Sequence, residues 1–152
     1  MEKPNQLVVF SLDDQRYALR LSAVDRVVYM VRVTPLPKAP DIVIGVVSVQ
    51  GRVIPVINMR RRFHLQEREI ALTDRLVIAH TARRPVALAA DAVAGIIEYP
   101  GQDIVAAEDI LPGVEHVEGI AKLEDGLILI HDLDRFLSLE EEQSLDRALA
   151  TP

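Results

Sequence analysis

Residues 36–63 read LPKAPDIVIGVVSVQGRVIPVINMRRRF, and this stretch decides the fold. Prolines at positions 35, 37 and 40 precede one apolar run, Gln50-Gly51 ends it, and Pro55 lies inside a second. The pattern predicts a β-hairpin whose strands are Ile42–Val49 and Val53–Ile57. Because proline has no backbone N–H, the second strand should lie at a sheet edge or lose its ladder at Pro55. An apolar strand that cannot pair fully is a surface on which a partner can dock.

The composition limits the class of protein. The chain has 152 residues, which is one domain-sized unit or two very small ones that share a core. Hydrophobic residues make up 49% of it and aromatic residues 4%, so the core should be aliphatic, and the many β-branched residues favour strands. The net charge of −6 argues against nucleic-acid binding.

The chain has no cysteine, which excludes disulfides and thiolate metal sites and suits a reducing cytosol. It has no apolar run of about 18 residues, so we expect no transmembrane helix. The start, MEKPNQ, lacks a basic segment followed by an apolar one, so we expect no signal peptide. These features predict a cytoplasmic protein that does not insert directly into a membrane.

The two halves of the chain resemble each other. Tyr17–Val28 aligns without gaps to Val86–Ile97, a shift of 69 positions, and four of the twelve residues are identical. At a shift of 74, Gly45-Val46 matches Gly119-Ile120. Chance similarity between aliphatic strands is the alternative explanation, but the same order of elements in both halves argues against it.

The repeat predicts an all-β fold of two small, packed β-barrels. Within a single domain of residues 1–152, we place subdomain 1 at about 14–83 and subdomain 2 at about 84–137. The N-terminal strand, 7–12, can be shared between them. A short C-terminal α-helix is expected at about 138–149, where Ser138 and Glu141 have the spacing of a capping box. Leu139, Leu145 and Leu149 would give this helix a weak apolar face.

Candidate catalytic residues are scarce. The four histidines, at positions 64, 80, 116 and 131, are not spaced as metal ligands, and His80 and His131 are interpreted as polar caps of strands. No serine lies in a G-x-S-x-G motif and no glycine-rich phosphate loop is present. We therefore expect no enzyme activity, metal or cofactor. The run Arg60-Arg61-Arg62 is interpreted as a solvated turn, and docking of an acidic partner is the alternative.

Several motifs in this order resemble the CheW-like family. They are F-x-L-x(4)-Y-A-L from Phe10, L-P-x-A-P from Leu36, G-V-V-x-x-x-G-x-V-I-P-V-I-x-x-R from Gly45 to Arg60, D-x-V-x-G-I from Asp91, and G-x(3)-L-E-D-G-L-I-L-I from Gly119. The resemblance covers about residues 7–137 and implies two SH3-like, five-stranded β-barrels. It also implies a non-enzymatic adaptor that couples chemoreceptors to the histidine kinase CheA.

By this resemblance, a groove between the barrels takes the helical cytoplasmic tip of the receptor, and a barrel face takes the regulatory domain of the kinase. The residues that would line or support these contacts are Val27, Leu36, Pro37, Gly45, Val46, Gln50, Gly51, Pro55 and Ile57.

Two positions depart from the family pattern. The family usually has Glu where this chain has Arg26 and Arg where it has Gln50, and those residues are commonly an ion pair. Because both have changed, no carboxylate is stranded, and Arg26 can donate to the Gln50 carbonyl. Two other hypotheses remain open: a CheW-like module of a pilus or other non-flagellar pathway, and a double barrel that holds a small molecule between its halves.

Overall fold

The computed structural model describes residues 5–106, 117–124 and 126–150. His116, one of the four histidines considered above, lies outside these residues. Eleven strands are present among them: β1 Asn5–Leu12, β2 Gln15–Arg20, β3 Val24–Tyr29, β4 Val43–Val49, β5 Arg52–Ile57, β6 Arg75–His80, β7 Pro85–Ala90, β8 Ala92–Tyr99, β9 Val105–Ala106, β10 Val117–Leu123 and β11 Gly126–His131. The α-helices are α1 Met59–Arg62 and α2 Leu139–Ala150, and short 3₁₀ turns lie at Leu21–Ala23, Gly101–Asp103 and Leu133–Arg135.

The strands form two sheets. One has six strands in the order β8-β1-β2-β11-β10-β9, and the other has five in the order β3-β6-β7-β5-β4. The prediction of an all-β fold with a C-terminal helix is confirmed. The six-stranded sheet exceeds the expected five because the two-residue strand β9 pairs with β10.

Three apolar clusters make up the core. One lies within the five-stranded sheet and includes Val47, Ile54 and Leu76. A second lies within the six-stranded sheet and includes Leu7 and Ile128. The third and largest joins both sheets to α1 and α2 and contains the aromatic rings of Phe10, Tyr17 and Phe136. Each sheet therefore packs its own cluster on one face and a shared cluster on the other, as two packed barrels would.

The predicted repeat is confirmed by strand pairing. β1–β2–β3 correspond to β6–β7–β8, and β4–β5 correspond to β10–β11, so both sheets have the same order of equivalent strands. The registers also coincide. Val43 pairs with Ile57 as Val117 pairs with His131, and the same one-residue irregularity follows in both hairpins.

The sheets do not follow the subdomain limits drawn from the sequence. β2 lies in the six-stranded sheet and β7 lies in the five-stranded one, so each half gives its first hairpin to one sheet and its later strands to the other. The limit at residue 83 falls inside the turn of the β6–β7 hairpin, whose strands pair along their full length. β1 pairs with both β2 and β8 and belongs to the six-stranded sheet.

The C-terminal helix begins as expected. The Ser138 N–H donates to the Glu141 carboxylate over 2.8 Å, and the Glu141 N–H donates to the Ser138 hydroxyl over 3.1 Å, which is a capping box. The predicted apolar face is wrong in part, since Leu139 is exposed and Glu142, Leu145 and Ala148 are the buried residues. Glu142 can be buried because its carboxylate accepts from Arg84 over 2.9 Å.

Candidate partner-binding surface

The β4–β5 hairpin forms as the sequence predicts. Its two-residue turn places Gln50 at φ 51° and Gly51 at φ 79°, which is the pattern of a type I′ turn. This turn matches the right-handed twist of the flanking strands. Gln50, Gly51, Arg52 and Val53 are exposed, so the tip of the hairpin is an accessible surface.

Pro55 is tolerated because no hydrogen bond to β4 requires a backbone N–H at this position. It lies opposite Val46, whose N–H and carbonyl both bond to Thr34 at 2.8 Å, on the side of β4 away from β5. The Val46–Pro55 pair is therefore one that exchanges no hydrogen bonds. On the other side of β5, pairing with β7 begins only at Val56. The expectation of an edge strand or a broken ladder is wrong, because β5 is an interior strand and its ladder with β4 continues through Pro55. Only the pairing with β7 stops short of this residue.

The segment that follows β3 covers the edge of β4. Thr34 bridges Val46, and a Cβ on Gly45 would overlap the carbonyl oxygen of Thr34. Only glycine lets the two backbones approach so closely. Gly45 is buried, and its role is to admit this covering segment.

The nine predicted contact residues fall into three groups. Val27, Pro37, Gln50 and Gly51 are exposed, Leu36 and Val46 are half-buried, and Gly45, Pro55 and Ile57 are buried. Ile57 is 1% exposed and belongs to the core cluster shared by the sheets, so of the two expected roles, lining or supporting the contacts, only support is open to it. The buried members support the hairpin from beneath.

Val27 lies apart from the hairpin, on the terminal strand β3 of the five-stranded sheet. It pairs with Val77 of the shared core cluster but remains 38% exposed, so it sits at the margin between the two sheets. The equivalent position in the second half holds Ile96, which pairs with the buried Val8 and is also exposed. The repeat thus presents one exposed aliphatic residue on each terminal strand, β3 and β8.

Arg26 and Gln50 are both exposed, and no hydrogen bond joins them anywhere in the part of the chain that the structure describes. The expected donation from Arg26 to Gln50 is therefore absent. The two positions at which the chain departs from its family pattern present a cation and an amide to solvent.

The basic run after β5 is not the solvated turn that the sequence suggested. Arg60 pairs with Asp13 at 3.0 Å and with Asp91 at 2.7 Å, Arg61 pairs with Glu67 at 2.7 Å, and Arg62 pairs with Glu141 at 2.6 Å. All three cations are engaged within the molecule, which also removes the basis for docking an acidic partner on this run.

A chain of alternating charges extends from Arg60. Arg68 contacts Asp91 at 2.6 Å and Asp74 at 2.7 Å, so Asp91 accepts from two guanidiniums and, at 2.7 Å, from the Asp13 N–H. Burial alone would raise the pKa of Asp91, but these donors outweigh burial and hold its pKa below the ordinary value. Asp91 is therefore a charged structural anchor between the sheets.

The histidines have separate roles. His80 lies 2.9 Å from Asp25 at the surface, as a strand-terminal polar residue. The interpretation of His131 as a polar cap is wrong, because it is buried and stacks on Phe63 with ring centroids 4.5 Å apart. Within residues 5–106, 117–124 and 126–150, no group of three or more His, Asp or Glu side chains could hold a metal ion.

Two open pockets bear on the small-molecule hypothesis. One of about 210 Å³ lies where the sheets meet, but its charged groups include an Arg20–Glu118 pair at 2.5 Å, already satisfied within the molecule. The other, about 350 Å³, lies beside β4 and is largely apolar. Its exposed residues Ile70 and Leu72 lie in the loop before β6, where no periodic pattern of apolar residues marks them in the sequence.

The fold and surface together define a class of protein: two sheets that share a core and expose hairpin and strand surfaces for binding. The family model of the CheW-like domain matches residues 6–141, and the chain belongs to this family. No helix of the described residues is long and apolar enough to cross a membrane.

Individual relatives agree with this assignment. The chain is 27% identical over 146 residues to the chemotaxis protein CheW of Treponema pallidum, covering 92% of this chain and 86% of that protein. It is 28% identical over 141 residues to CheW of Rhizobium meliloti, covering 91% of each. It is also similar to a crystal structure of the scaffolding protein TtCheW from Thermoanaerobacter tengcongensis. That match has a TM-score of 0.82 at 30% identity and covers 91% of this chain and 95% of that one. These similarities agree with membership of the CheW-like family.

Proposed function

We propose that this chain is a cytoplasmic adaptor that couples chemoreceptors to a CheA-type histidine kinase, without catalysis of its own. The observation that carries the proposal is the CheW-like family match over residues 6–141 on a fold that exposes the tip of the β4–β5 hairpin. An adaptor holds two partners at a fixed geometry and needs surfaces, not reactive groups.

Two surfaces support this role. The first is the hairpin with its covering segment, where Leu36, Pro37, Val46, Gln50 and Gly51 are accessible or half-buried. The second is the margin between the sheets, where Val27 remains exposed beside the shared core. We assign the hairpin surface to the regulatory domain of the kinase and the margin to the helical tip of the receptor, which would place the adaptor at receptor arrays.

The buried residues of the predicted set have a supporting role in the proposal. Gly45 admits the covering segment, Pro55 fits a pair that needs no N–H, and Ile57 anchors β5 in the shared core. Substitutions at these positions would disturb binding through the shape of the hairpin.

The test is affinity purification of the tagged full-length chain from its native cell, followed by identification of the proteins retained and direct measurement of their affinities. The proposal expects a CheA-like kinase and chemoreceptors. Retention of a kinase from a pilus or other pathway without chemoreceptors would favour the non-flagellar hypothesis, and retention of neither partner would contradict the proposal.

A further inference from the structure

The open apolar cleft beside β4 lies between two segments of the five-stranded half. Val31 and Val33 from the segment after β3 form one wall, Ile70 and Leu72 from the loop before β6 form the other, and Ile44 of β4 contributes to the lining. Its volume of about 350 Å³ is at the lower end of the range found for ligand sites, about 300–1,000 Å³. None of its apolar lining residues belongs to the surface predicted from the sequence.

Exposed aliphatic side chains converge in this cleft. Leu72 is 84% exposed, Val31 39% and Ile70 38%. Single exposed aliphatic residues are ordinary on a protein surface, but several that line one groove mark an interaction site.

The wall that carries Ile70 and Leu72 is anchored at several points. Asp74 accepts from Arg68 over 2.7 Å and from the Ala71 N–H over 2.9 Å, and its carbonyl accepts from the Met30 N–H over 3.0 Å. At the start of the loop, Arg60 donates to the Gln66 carbonyl over 3.0 Å. The charge chain described above thus holds the loop in place, so that binding would not have to order it.

The charge of the cleft selects its occupant. Arg32 lines it and has no acidic partner among the residues that the structure describes. Near the cleft, Asp74 is committed to Arg68, and Glu69 is exposed beside Ile70. A carboxylate on an incoming partner can therefore pair with Arg32 without breaking an ion pair of the fold.

We propose that this cleft binds a short segment of a partner protein that carries large aliphatic side chains next to a carboxylate. The aliphatic side chains pack between Val31, Ile70 and Leu72, and the carboxylate accepts from Arg32. The cleft shares the segment after β3 with the proposed kinase surface, but it includes neither the hairpin tip nor Val27. It does not require that the partner be a kinase or a chemoreceptor.

The test uses the full chain and a displayed library of random short peptides, with counter-selection on a Leu72→Asp variant. Enriched peptides are synthesised and their affinities measured by fluorescence anisotropy. The proposal expects a shared aliphatic and acidic pattern, and a loss of affinity of about tenfold or more for both Leu72→Asp and Arg32→Glu. Matched controls are Leu127→Asp, an exposed leucine of the six-stranded sheet, and Arg52→Glu at the hairpin tip, which should bind as the parent does.

A charge exchange makes the test decisive. Replacing the acidic residue of an enriched peptide with lysine should abolish binding to the parent and restore it to Arg32→Glu. Thermal unfolding of each variant shows that it is folded, and Arg32→Ala serves where reversal of the charge disturbs the fold. Failure to enrich peptides that depend on Leu72, or enriched peptides indifferent to Arg32, would overturn the proposal. Because the readout contains no kinase or receptor, this failure is distinct from failure of the proposed adaptor function.

Discussion

The guanidinium of Arg60 lies 2.7 Å from the carboxylate of Asp91, and this ion pair joins the two halves of the repeat. Arg60 belongs to α1, which ends the first half, and Asp91 lies between β7 and β8 in the second. Asp13, in the β1–β2 turn of the six-stranded sheet, pairs with the same guanidinium at 3.0 Å. Two sequence motifs that carry the family resemblance therefore meet in one partly buried contact whose role is structural.

Replacing Asp91 with asparagine should destabilise the protein by about 2 kcal/mol at neutral pH. The amide cannot balance Arg60 and Arg68, although Asp13 and Asp74 still pair with them, so the cost is below the roughly 3–5 kcal/mol of a fully stranded buried charge. Chemical denaturation measures the change. Asp14→Asn is the matched control, at an exposed turn position that forms no ion pair with the residues the structure describes, and it should alter stability by less than about 0.5 kcal/mol.

The same contact predicts a pH dependence. The pKa of Asp91 is lowered in the folded state, so its contribution to stability is complete above the unfolded pKa of about 3.9 and is lost as the pH falls through the lower folded value. The difference in unfolding free energy between the parent and Asp91→Asn should therefore shrink in strongly acidic solution. A difference that stays constant well below the unfolded pKa of about 3.9 would show that the ionised carboxylate is not what stabilises the fold.

Gly51→Val should destabilise the protein by about 1–3 kcal/mol through backbone strain. A Cβ at this position meets no other atom within 4 Å, so the cost comes from its φ of 79° and not from a clash. Gly51→Asn is the matched variant, because asparagine tolerates a positive φ, and it should lose much less. Equal thermal unfolding of the parent and the valine variant would remove this role from Gly51.

Gly45→Ala should cost about 3 kcal/mol for a different reason, which is overpacking. The added methyl group would overlap the carbonyl oxygen of Thr34, a backbone atom that cannot rotate away. We expect weaker protection of the Thr34 and Val46 amides from hydrogen exchange, since their mutual bonds hold the covering segment on β4. Unchanged protection with unchanged stability would contradict the close approach of these two backbones.

Local signals were sufficient to predict much of the fold. Gln50-Gly51 predicts its turn because only a few residues adopt positive φ readily, and Ser138 with Glu141 predicts the helix start because their groups bond within one turn. The repeat could also be detected in the sequence. Equivalent strands of the two halves pack in the same way, so they carry similar residues at equivalent positions. Such features depend on neighbours in sequence or on the pattern of each strand alone.

The features that the sequence did not reveal depend on distant partners. Nothing near Arg60 indicates that Asp91, 31 positions away, will pair with it. The β1–β2 hairpin pairs with strands of the second half, and the β6–β7 hairpin pairs with strands of the first. This exchange does not alter the apolar pattern of any strand, so the sequence could not show which strands share a sheet. The exposure of Leu72 follows from a loop held by Arg68 and Asp74, which periodicity cannot detect.

Val46→Glu should weaken binding of the kinase regulatory domain or the receptor fragment by about 2–4 kcal/mol, because its carboxylate would be desolvated without a partner. Val46 is half-buried, so the folded state should lose less than the complex does. The matched control is Leu139→Glu on α2, where the leucine is 62% exposed and lies outside the proposed surface. Calorimetry with each partner, together with thermal unfolding of each variant, separates binding from folding.

If Val46→Glu unfolds, Val46 belongs to the core, and Val27→Glu at the exposed margin becomes the variant that tests the surface. Variants at both positions that remain folded and bind both partners as tightly as the parent would refute the assignment of this surface.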